Sequence, residues 1–472
     1  MNPDQREAVL DNARYLREVR PIDPEEIYEY VDGQPHPAVV RQVLREHAVE
    51  LGVRETDEGT FVPVEEGPLS VTFAGVESFP ERYGRTLEDL LVDEFGAGWP
   101  DGESGDDLRA TVRELKADYL EGTAVEYDYR TALAYALYHL PDYYAVVQYV
   151  LARLADHGLL DRRLRVLDVG AGVGGPMLGV HDLVPDDSVV EYHAVEPSAA
   201  ADVFEAFVGE TRPGFDTRVH RTTAEAFDLD ATFDIVLFAN VLSELDDPES
   251  VAARYAESVA EDGSLVGIAP ADRNTAVGLR EVERSLEAAG YGVWGPQVRL
   301  WPDCRPTDEG WSFDVQPDLA VPPFQRRLDE GDRAAADGTA GDGEFVNVDV
   351  QYAFSVVRHD DERMVAFRPD ASRFARFADS ETHVTNRVDC VALKLSHDLA
   401  EDGNPLYKVS DGSEAVDHYA VLTRESALNR DLSRAAYGDP LAFENALVLW
   451  NDDEGAYNLV VDAETVVDRL AG

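Results

Sequence analysis

A short apolar run that stops at a glycine-rich turn constrains this sequence more than any other feature. Residues 165–169 form this run around a single acid, Asp168, and Gly170, Gly172 and Gly174 follow at every second position. Such a run is typical of a buried parallel strand, and residues without a Cβ let the turn adopt left-handed backbone and approach a ligand closely. The stretch predicts a nucleotide-binding strand–turn–helix unit, a pattern shared by dinucleotide enzymes, methyltransferases and some purely structural turns.

The strands that follow narrow this choice. A second predicted strand, Val189–Val195, ends at Glu196, about twenty residues beyond the glycines, where an acid can accept hydrogen bonds from both ribose hydroxyls. Further strands are predicted at Phe233–Phe238 and Gly263–Pro270, and Asn240 lies just beyond the first of these. This order of elements predicts an α/β, Rossmann-like sheet.

Residues 162–298 resemble the class I S-adenosylmethionine (SAM)-dependent methyltransferase family in the glycine turn, the acid after the second strand and the later strands. The resemblance implies SAM as the cofactor and requires no metal. It assigns Gly170, Gly172 and Gly174 to the methionine part of SAM, with Asp168 beneath them either orienting the loop or meeting the amino group of SAM through water. It assigns Glu196 to the ribose, Ala224 and Glu225 to the adenine, and Asn240 to the transferred methyl group as the candidate catalytic residue. For Asn240, hydrogen bonding to the loop backbone is the alternative.

A narrower resemblance extends over residues 108–457. The tyrosine-rich stretch 135–147, the glycine turn and residues 241–245 are similar, in this order, to the mitochondrial small-ribosomal-subunit assembly methyltransferase-like family, which has archaeal relatives. This resemblance implies binding to rRNA or to the immature small ribosomal subunit. Members often hold an iron–sulfur cluster with four cysteines, but only Cys304 falls in that segment here, and Ser312 stands where another cysteine is expected. We therefore predict no iron–sulfur cluster and no structural zinc.

The tyrosine-rich stretch also carries local predictions. Residues 108–154 have helical patterning, and Pro141 predicts that one helix ends there and another begins. Packing is favoured over a base-stacking platform for the tyrosines, and a capping or core role is favoured over a catalytic base for His139.

Changes of pattern divide the chain into segments. Three amphipathic helices and a hairpin predict a winged-helix-like module at residues 1–67, which would meet nucleic acid through Arg41, Arg45 and Arg54, or alternatively a helical module that packs on the catalytic domain or on another protein. The other predicted segments are a helical lead-in at 106–160, the methyltransferase domain at 161–328, an acidic linker at 329–344 and a β-rich region at 345–472, for which a small barrel such as the oligonucleotide-binding (OB) fold is expected.

The charge is extreme and is spread along the whole chain. The 472 residues include 94 Asp plus Glu against 41 Lys plus Arg, a net charge of −53. This composition is similar to that of halophilic archaeal proteins, in which molar salt screens self-repulsion, so it says little about partners. The chain starts without an apolar signal segment and has no run long enough to cross a bilayer, which predicts a cytoplasmic protein without a membrane partner.

Together these features predict a SAM-dependent methyltransferase-like protein that acts on rRNA or on the assembling small ribosomal subunit. Two alternatives stay open, a catalytically inactive SAM-fold assembly factor and a methyltransferase of a small molecule. The three glycines and Glu196 weaken the first alternative, and the large flanking segments weaken the second.

Overall fold

The structure, a computed structural model, describes residues 1–121, 125–331 and 343–470. It divides into two compact units, unit 1 (Met1–Ala239 and Pro317–Val350) and unit 2 (Asn240–Gln316 and Gln351–Gly472). The helices are α1 (Pro3–Leu16), α2 (Pro24–Ile27), α3 (Pro37–Glu46), α4 (Ala48–Leu51), α5 (Glu81–Phe95), α6 (Gly102–Glu121), α7 (Tyr129–Asp156), α8 (Gly175–Leu183), α9 (Ala200–Val208), α10 (Pro248–Ala256), α11 (Arg273–Ala289), α12 (Pro323–Glu330) and α13 (Asp431–Arg434), with short 3-10 turns at Tyr28–Tyr30, Leu242–Glu244 and Phe377–His383. The strands are β1 (Val53–Glu55), β2 (Phe61–Pro63), β3 (Arg163–Val169), β4 (Val189–Val195), β5 (Phe215–His220), β6 (Phe233–Ala239), β7 (Val259–Pro270), β8 (Gly292–Gly295), β9 (Asp314–Gln316), β10 (Val350–Arg358), β11 (Arg387–Lys394), β12 (Leu406–Ser410), β13 (His418–Leu422), β14 (Pro440–Asn451), β15 (Ala456–Val461) and β16 (Val466–Arg469). None of the helices in the described part of the chain combines the length and apolar character needed to span a membrane.

Helices and a hairpin form the N-terminal part of unit 1. A capping box between Asn2 and Gln5 begins α1, and Pro37 is the first residue of α3, where a missing N–H costs nothing. The predicted third helix is divided at His47 into α3 and α4, and Gly52, with φ of 62°, ends α4 before the hairpin. Three predicted helices and the hairpin are thus present, with one additional break.

Four parallel strands form the sheet of unit 1 in the order β5-β4-β3-β6. Because the carboxyl ends of parallel strands meet at one edge, the turn after β3 and the acid after β4 lie at the same edge. The hydrophobic pattern did not indicate β5, an edge strand in which Asp216, Arg218 and His220 alternate with less polar residues.

The prediction that a helix ends at Pro141 is wrong, since α7 continues through this residue. Proline cannot donate the bond that the Leu137 carbonyl would normally receive. Gln325 Nε2 donates to that carbonyl instead (3.0 Å) and also to the Tyr138 carbonyl (3.1 Å), and Asn347 Nδ2 donates to the latter as well (3.2 Å). Distant side chains therefore satisfy the backbone groups that the proline releases, and the helix persists.

In unit 2, β10 lies between β7 and β8 and is antiparallel to both. Sequence analysis had included this strand in the β-rich region at 345–472. Pairing of Tyr352 with Pro270, and of Val356 with Gly295, shows that it belongs to the sheet formed with β7 and β8. A strand pattern identifies a strand but not its partner, which explains the difference.

Five of the remaining strands of unit 2 close into a barrel, in the order β11-β12-β13-β15-β14 with β14 pairing back to β11, and β16 also pairs with β14. Strands β13 and β15 are parallel, and the other barrel pairs are antiparallel. This is the strand order of the OB fold. The predicted fold class, a methyltransferase-like α/β sheet with a helical N-terminus and a small C-terminal β-barrel, is thus confirmed. The exact domain boundaries stay a prediction, and residues 332–342 of the predicted linker lie outside the described residues.

Candidate functional site

The glycine turn after β3 has the backbone that its sequence predicts. Gly170, Gly172 and Gly174 have φ values of 70°, 53° and 94°, a left-handed region that other residues enter at a cost. A Cβ on Gly174 would lie 3.0 Å from the Phe204 ring, whereas a Cβ on Gly172 would have its nearest neighbour, a backbone oxygen, 3.9 Å away. Gly174 therefore permits close helix packing, and Gly172 borders space into which a ligand can enter.

Glu196, which follows β4, is hydrogen-bonded to the glycine turn that follows β3. Its Oε2 accepts a hydrogen bond from the Gly172 N–H (2.9 Å), and its Oε1 accepts from the Ser198 N–H (2.9 Å) and from the Ser198 hydroxyl (2.6 Å). An ionised carboxylate has about four acceptor sites, so capacity for a ribose hydroxyl is left. The structure thus brings Glu196 to the glycine turn, as the sequence predicted.

Asp168 lies fully buried beneath this turn. The Tyr192 hydroxyl donates to its Oδ2 (2.7 Å), whereas its Oδ1 has no hydrogen-bond partner among the described residues. Burial raises the pKa of this carboxyl to about 7, the hydrogen bond from Tyr192 opposes the shift, and the charge of Glu196 adds to it. A buried acceptor without a donor, at the foot of an open turn, fits the ammonium group of an amino-acid ligand such as the methionine part of SAM.

The other predicted site residues are placed but not tested. Ala224 is buried and Glu225 is exposed, and both lie in the turn that follows β5, the outermost strand of the sheet. Asn240 directly follows β6 and is the first residue of unit 2. It has a left-handed φ of 59°, which asparagine tolerates, and its N–H donates to the Ile268 carbonyl (2.9 Å). Their contacts to adenine and to the methyl group stay predictions.

Two of the three arginines that the sequence offered for phosphate contact are engaged within the chain. Arg41 and Arg45 of α3 both pair with the buried carboxylate of Glu55. In the barrel, Lys394 is buried and its Nζ donates to the Ala435 carbonyl (2.8 Å), and Lys408 is buried in ion pairs with acidic side chains. Neither of these two lysines therefore forms part of an exposed cationic surface.

The position expected for a cluster cysteine is occupied by a polar network. Ser312 is buried, accepts from Gln297 Nε2 (3.2 Å), and its hydroxyl lies 3.1 Å from that of Tyr437. In the ranges 1–121, 125–331 and 343–470, no group of three or more His, Cys, Asp or Glu side chains is arranged to hold a metal ion. That the chain binds no iron–sulfur cluster stays a prediction, which metal analysis of anaerobically purified protein tests.

Family models place this geometry in a known class. Residues 167–265 match the model described as a methyltransferase domain, a segment that begins in β3 and contains the glycine turn and Glu196. The chain contains a SAM-dependent methyltransferase domain. Residues 6–57 and 378–470, on either side of the methyltransferase domain, match the N-terminal and C-terminal domains of one family of unknown function, DUF8157. No curated protein matches the chain.

Solved structures of similar proteins are also methyltransferases. A SAM-dependent methyltransferase from Aquifex aeolicus is 20% identical, with a TM-score of 0.26 over 31% of this chain and 80% of that one. A putative methyltransferase from Thermoplasma acidophilum is 12% identical (TM-score 0.28; 42% and 70% of the two chains). A TehB-like SAM-dependent methyltransferase from Corynebacterium glutamicum is 10% identical (TM-score 0.27; 54% and 99%). Because these TM-scores are low, we base the assignment of the methyltransferase domain on the matched segment and on the geometry of the turn.

Proposed function

We propose that the protein is an active methyltransferase that uses SAM to modify rRNA or the assembling small ribosomal subunit. The observation that carries the proposal of activity is the intact donor site: an open left-handed glycine turn above a buried carboxylate oxygen that has no donor. An assembly factor that has lost chemistry has no need to keep a buried, unsatisfied acid, which destabilises the folded state.

Each residue of this site has a specific task. When bound, SAM supplies an electrophilic methyl group. The Asp168 carboxylate would bind the ammonium group of the donor, Glu196 would hold its ribose, and the backbone at Gly172 would let the donor lie close to the sheet edge. Much of the acceleration in such a transfer comes from orientation, on the order of 7–11 kcal/mol at best.

The ribosomal target is supported by the architecture around the methyltransferase domain. The barrel of unit 2 has the strand order of the OB fold, which many proteins use to bind oligonucleotides. The order of motifs over residues 108–457 resembles a family of small-subunit assembly proteins. In molar salt the Debye length falls to about 3 Å, so a net charge of −53 does not prevent the approach of RNA.

A small-molecule substrate is the second candidate, and the barrel favours it. The outer face of β12, which OB folds commonly use for binding, is covered within unit 2. Lys408 on this face is 2% exposed and pairs with Asp308. The Trp301 indole N–H donates to Asp411, which follows the same strand (2.7 Å). A covered binding face weakens the case for a nucleic acid.

Two measurements test the proposal. Calorimetry in molar KCl should show SAM binding that is lost in Glu196→Ala and retained in Glu205→Ala, a control at an exposed position on α9. Radiolabelled methyl transfer should then be followed on small ribosomal subunits from a strain that lacks the protein and from its parent. Labelling of only the former supports the ribosomal target. Binding without labelling of either favours the small-molecule candidate, and absence of SAM binding refutes the donor site.

A further inference from the structure

One group of side chains on α7 has no part in the donor site described above. We refer to it as the His139 cluster, and it comprises His139, Asp142, Tyr135, Tyr138 and Tyr143. The ring of Tyr143 stacks on the imidazole (5.3 Å between centroids, 16° between planes), and the rings of Tyr135 and Tyr138 approach it at 4.8 and 4.9 Å. Three aromatic rings thus surround one imidazole.

The His139 cluster borders the donor site on two sides within unit 1. On one side, a Cβ on Gly175, the first residue of α8, would lie 2.9 Å from the Cβ of Tyr143. On the other side, the Tyr127 carbonyl accepts from the N–H of Ala199 (3.3 Å), three residues beyond Glu196. The Tyr127 ring in turn meets the Tyr135 ring edge-on, with centroids 5.4 Å apart. The cluster therefore lies at the sheet edge where the donor would bind.

The carboxylate of Asp142 lies next to the imidazole of His139, and one of its oxygens has no hydrogen-bond partner among the described residues. Asp142 Oδ2 is 3.7 Å from His139 Nδ1, and Asp142 Oδ1 is buried without a hydrogen-bond partner among the described residues. Burial raises the pKa of Asp142, and contacts with His139 and Asn347 oppose the shift. Asn347 Nδ2 lies 3.3 Å from His139 Nδ1 and restrains the ring. About a quarter of the imidazole remains open, with 28% of its side-chain surface exposed.

The charges around the His139 cluster are mainly negative. Burial and the charges of Asp142, Asp349 and Glu344 together raise the pKa of Tyr138 to about 12. A cation, Lys116, also lies against the cluster, with its Nζ 4.3 Å from the centre of the Tyr138 ring. Aromatic faces and carboxylates both attract positive charge.

We propose that the His139 cluster binds the methyl acceptor, and that this acceptor is an amine. In the transfer, the lone pair of the amine nitrogen forms the new N–C bond while the C–S bond of SAM breaks and leaves its electron pair on sulfur. The amine reacts as its free base after losing its proton to water, and the methylated product leaves as an ammonium ion whose charge the aromatic rings and Asp142 stabilise. His139 Nδ1 accepts a hydrogen bond from Asn347 Nδ2 (3.3 Å), so the neutral imidazole carries its hydrogen on Nε2 and forms part of the aromatic wall. This inference rests on the proposed SAM-dependent activity and adds the chemical class of the acceptor.

The surroundings discriminate between acceptor classes. A neutral amine attacks without first becoming an anion, and the positive charge that moves from sulfur to nitrogen is stabilised by the aromatic faces and by Asp142. A hydroxyl acceptor must approach the alkoxide or phenolate state, which the buried charge of Asp142 disfavours. A carboxylate or phosphate acceptor would bring a second anion to the same place, which is less favourable still.

Ligands of known structure test the position of the cluster without knowledge of the natural acceptor. Sinefungin carries an amino group where SAM carries its methylated sulfur, whereas S-adenosylhomocysteine (SAH) is neutral there. By calorimetry in molar KCl, wild-type protein should bind sinefungin about tenfold more tightly than SAH, the size expected for one charge-assisted contact. This preference should disappear in Asp142→Asn and shrink in His139→Gln and Tyr143→Phe, with SAH affinity unchanged. Asp156→Asn, which removes an equal charge at an exposed position at the end of the same helix, should keep the preference.

A second pair of probes tests the acceptor class. With the protein saturated by SAH, benzylamine should bind about tenfold more tightly than benzyl alcohol, and Asp142→Asn should remove the difference. Equal or stronger binding of the alcohol, or binding of neither probe to the SAH complex, overturns the assignment. An unchanged sinefungin preference in Asp142→Asn and His139→Gln also overturns it. If wild-type protein binds neither SAH nor sinefungin, the proposed donor site itself has failed, which is a distinct result.

Discussion

Replacement of Asp168 by Asn should stabilise the ligand-free protein at neutral pH while it weakens SAM binding. The folded protein holds Asp168 in a fully buried place where Oδ1 has no donor, so ionisation is unfavourable there. Asparagine has nearly the same shape, keeps an oxygen for the Tyr192 hydroxyl and carries no charge. The same substitution removes the proposed partner of the donor ammonium group.

The pH dependence of this effect follows from the raised pKa. Burial raises the pKa of Asp168 from 3.8 to about 7, so the wild-type protein is most stable below the unfolded value and loses stability as the pH rises through the folded one. A shift of about three units corresponds to about 4 kcal/mol as an upper bound. The amide brings two N–H donors to the buried place of Oδ1, which costs about 1–3 kcal/mol at every pH. The variant should thus be less stable than wild type near pH 4 and more stable by about 1–3 kcal/mol above pH 7.

Amide hydrogen exchange of peptides that cover β3 measures this difference locally. Opening free energies should be obtained at several pH values between 5 and 8 in molar KCl, after correction for intrinsic exchange rates. Glu191→Gln is the matched control, because ion pairs and hydrogen bonds lower the pKa of Glu191 to about 2 against the effect of burial, so that its loss should destabilise β4 throughout this range. A stability difference between Asp168→Asn and wild type that does not change with pH would refute the reasoning.

Three further predictions concern other parts of the chain. Gly172→Arg should abolish SAM binding in calorimetry by filling the open side of the turn, and unchanged affinity would contradict the site assignment. Gln325→Leu should lower the free energy of unfolding by about 1–3 kcal/mol, since the Leu137 carbonyl loses its donor and the Asn347 N–H loses the acceptor Gln325 Oε1, whereas the Tyr138 carbonyl keeps Asn347 Nδ2. The loss caused by Gln325→Leu should be smaller when Pro141 is also replaced by Ala, because the backbone N–H gained at this position can donate to the Leu137 carbonyl. If a double-mutant cycle shows the same loss with Pro141 and with Ala at this position, this account is wrong. Dialysis from molar to millimolar KCl should reduce the helical circular dichroism signal, because the excess of 94 acidic over 41 basic residues repels itself when salt no longer screens the charges. An unaltered spectrum would exclude salt dependence of the fold.

Local features near the donor site could be predicted because each depends on neighbours in sequence. The strand Val189–Val195 has the bounds that its apolar run predicts, and the glycines adopt the left-handed backbone expected of residues without a Cβ. Glu196 follows the same strand, and its position relative to the glycine turn results from parallel pairing of adjacent strands. The fold class and the local geometry of the candidate donor site were therefore accessible from the chain alone.

From the sequence, packing was the favoured role for the tyrosines of the His139 cluster, and a capping or core role was favoured for His139. A chemical role depends on which side chains meet in the folded chain, and the sequence does not show this. The spacing of Tyr135, His139 and Tyr143, four residues apart on one helix face, was a signal that could have indicated a shared site. The role of Asn347 could not be anticipated, since it reaches His139 from about two hundred residues away. Only the folded chain shows that Asp142 lies behind the imidazole with an unsatisfied oxygen.

The sequence by itself determined the strands β3, β4, β6 and β7, the glycine turn and the acid beside it, because periodicity and the absence of a Cβ act over a few residues. Tertiary structure alone decided which strands pair, and it therefore closed the barrel through β11 and β14 and placed β10 beside β7. It also decided that α7 passes through Pro141, since the donors that replace the missing N–H come from distant residues. Hydrogen-bond partners for buried groups are chosen by the fold, and this is why local pattern cannot reveal them.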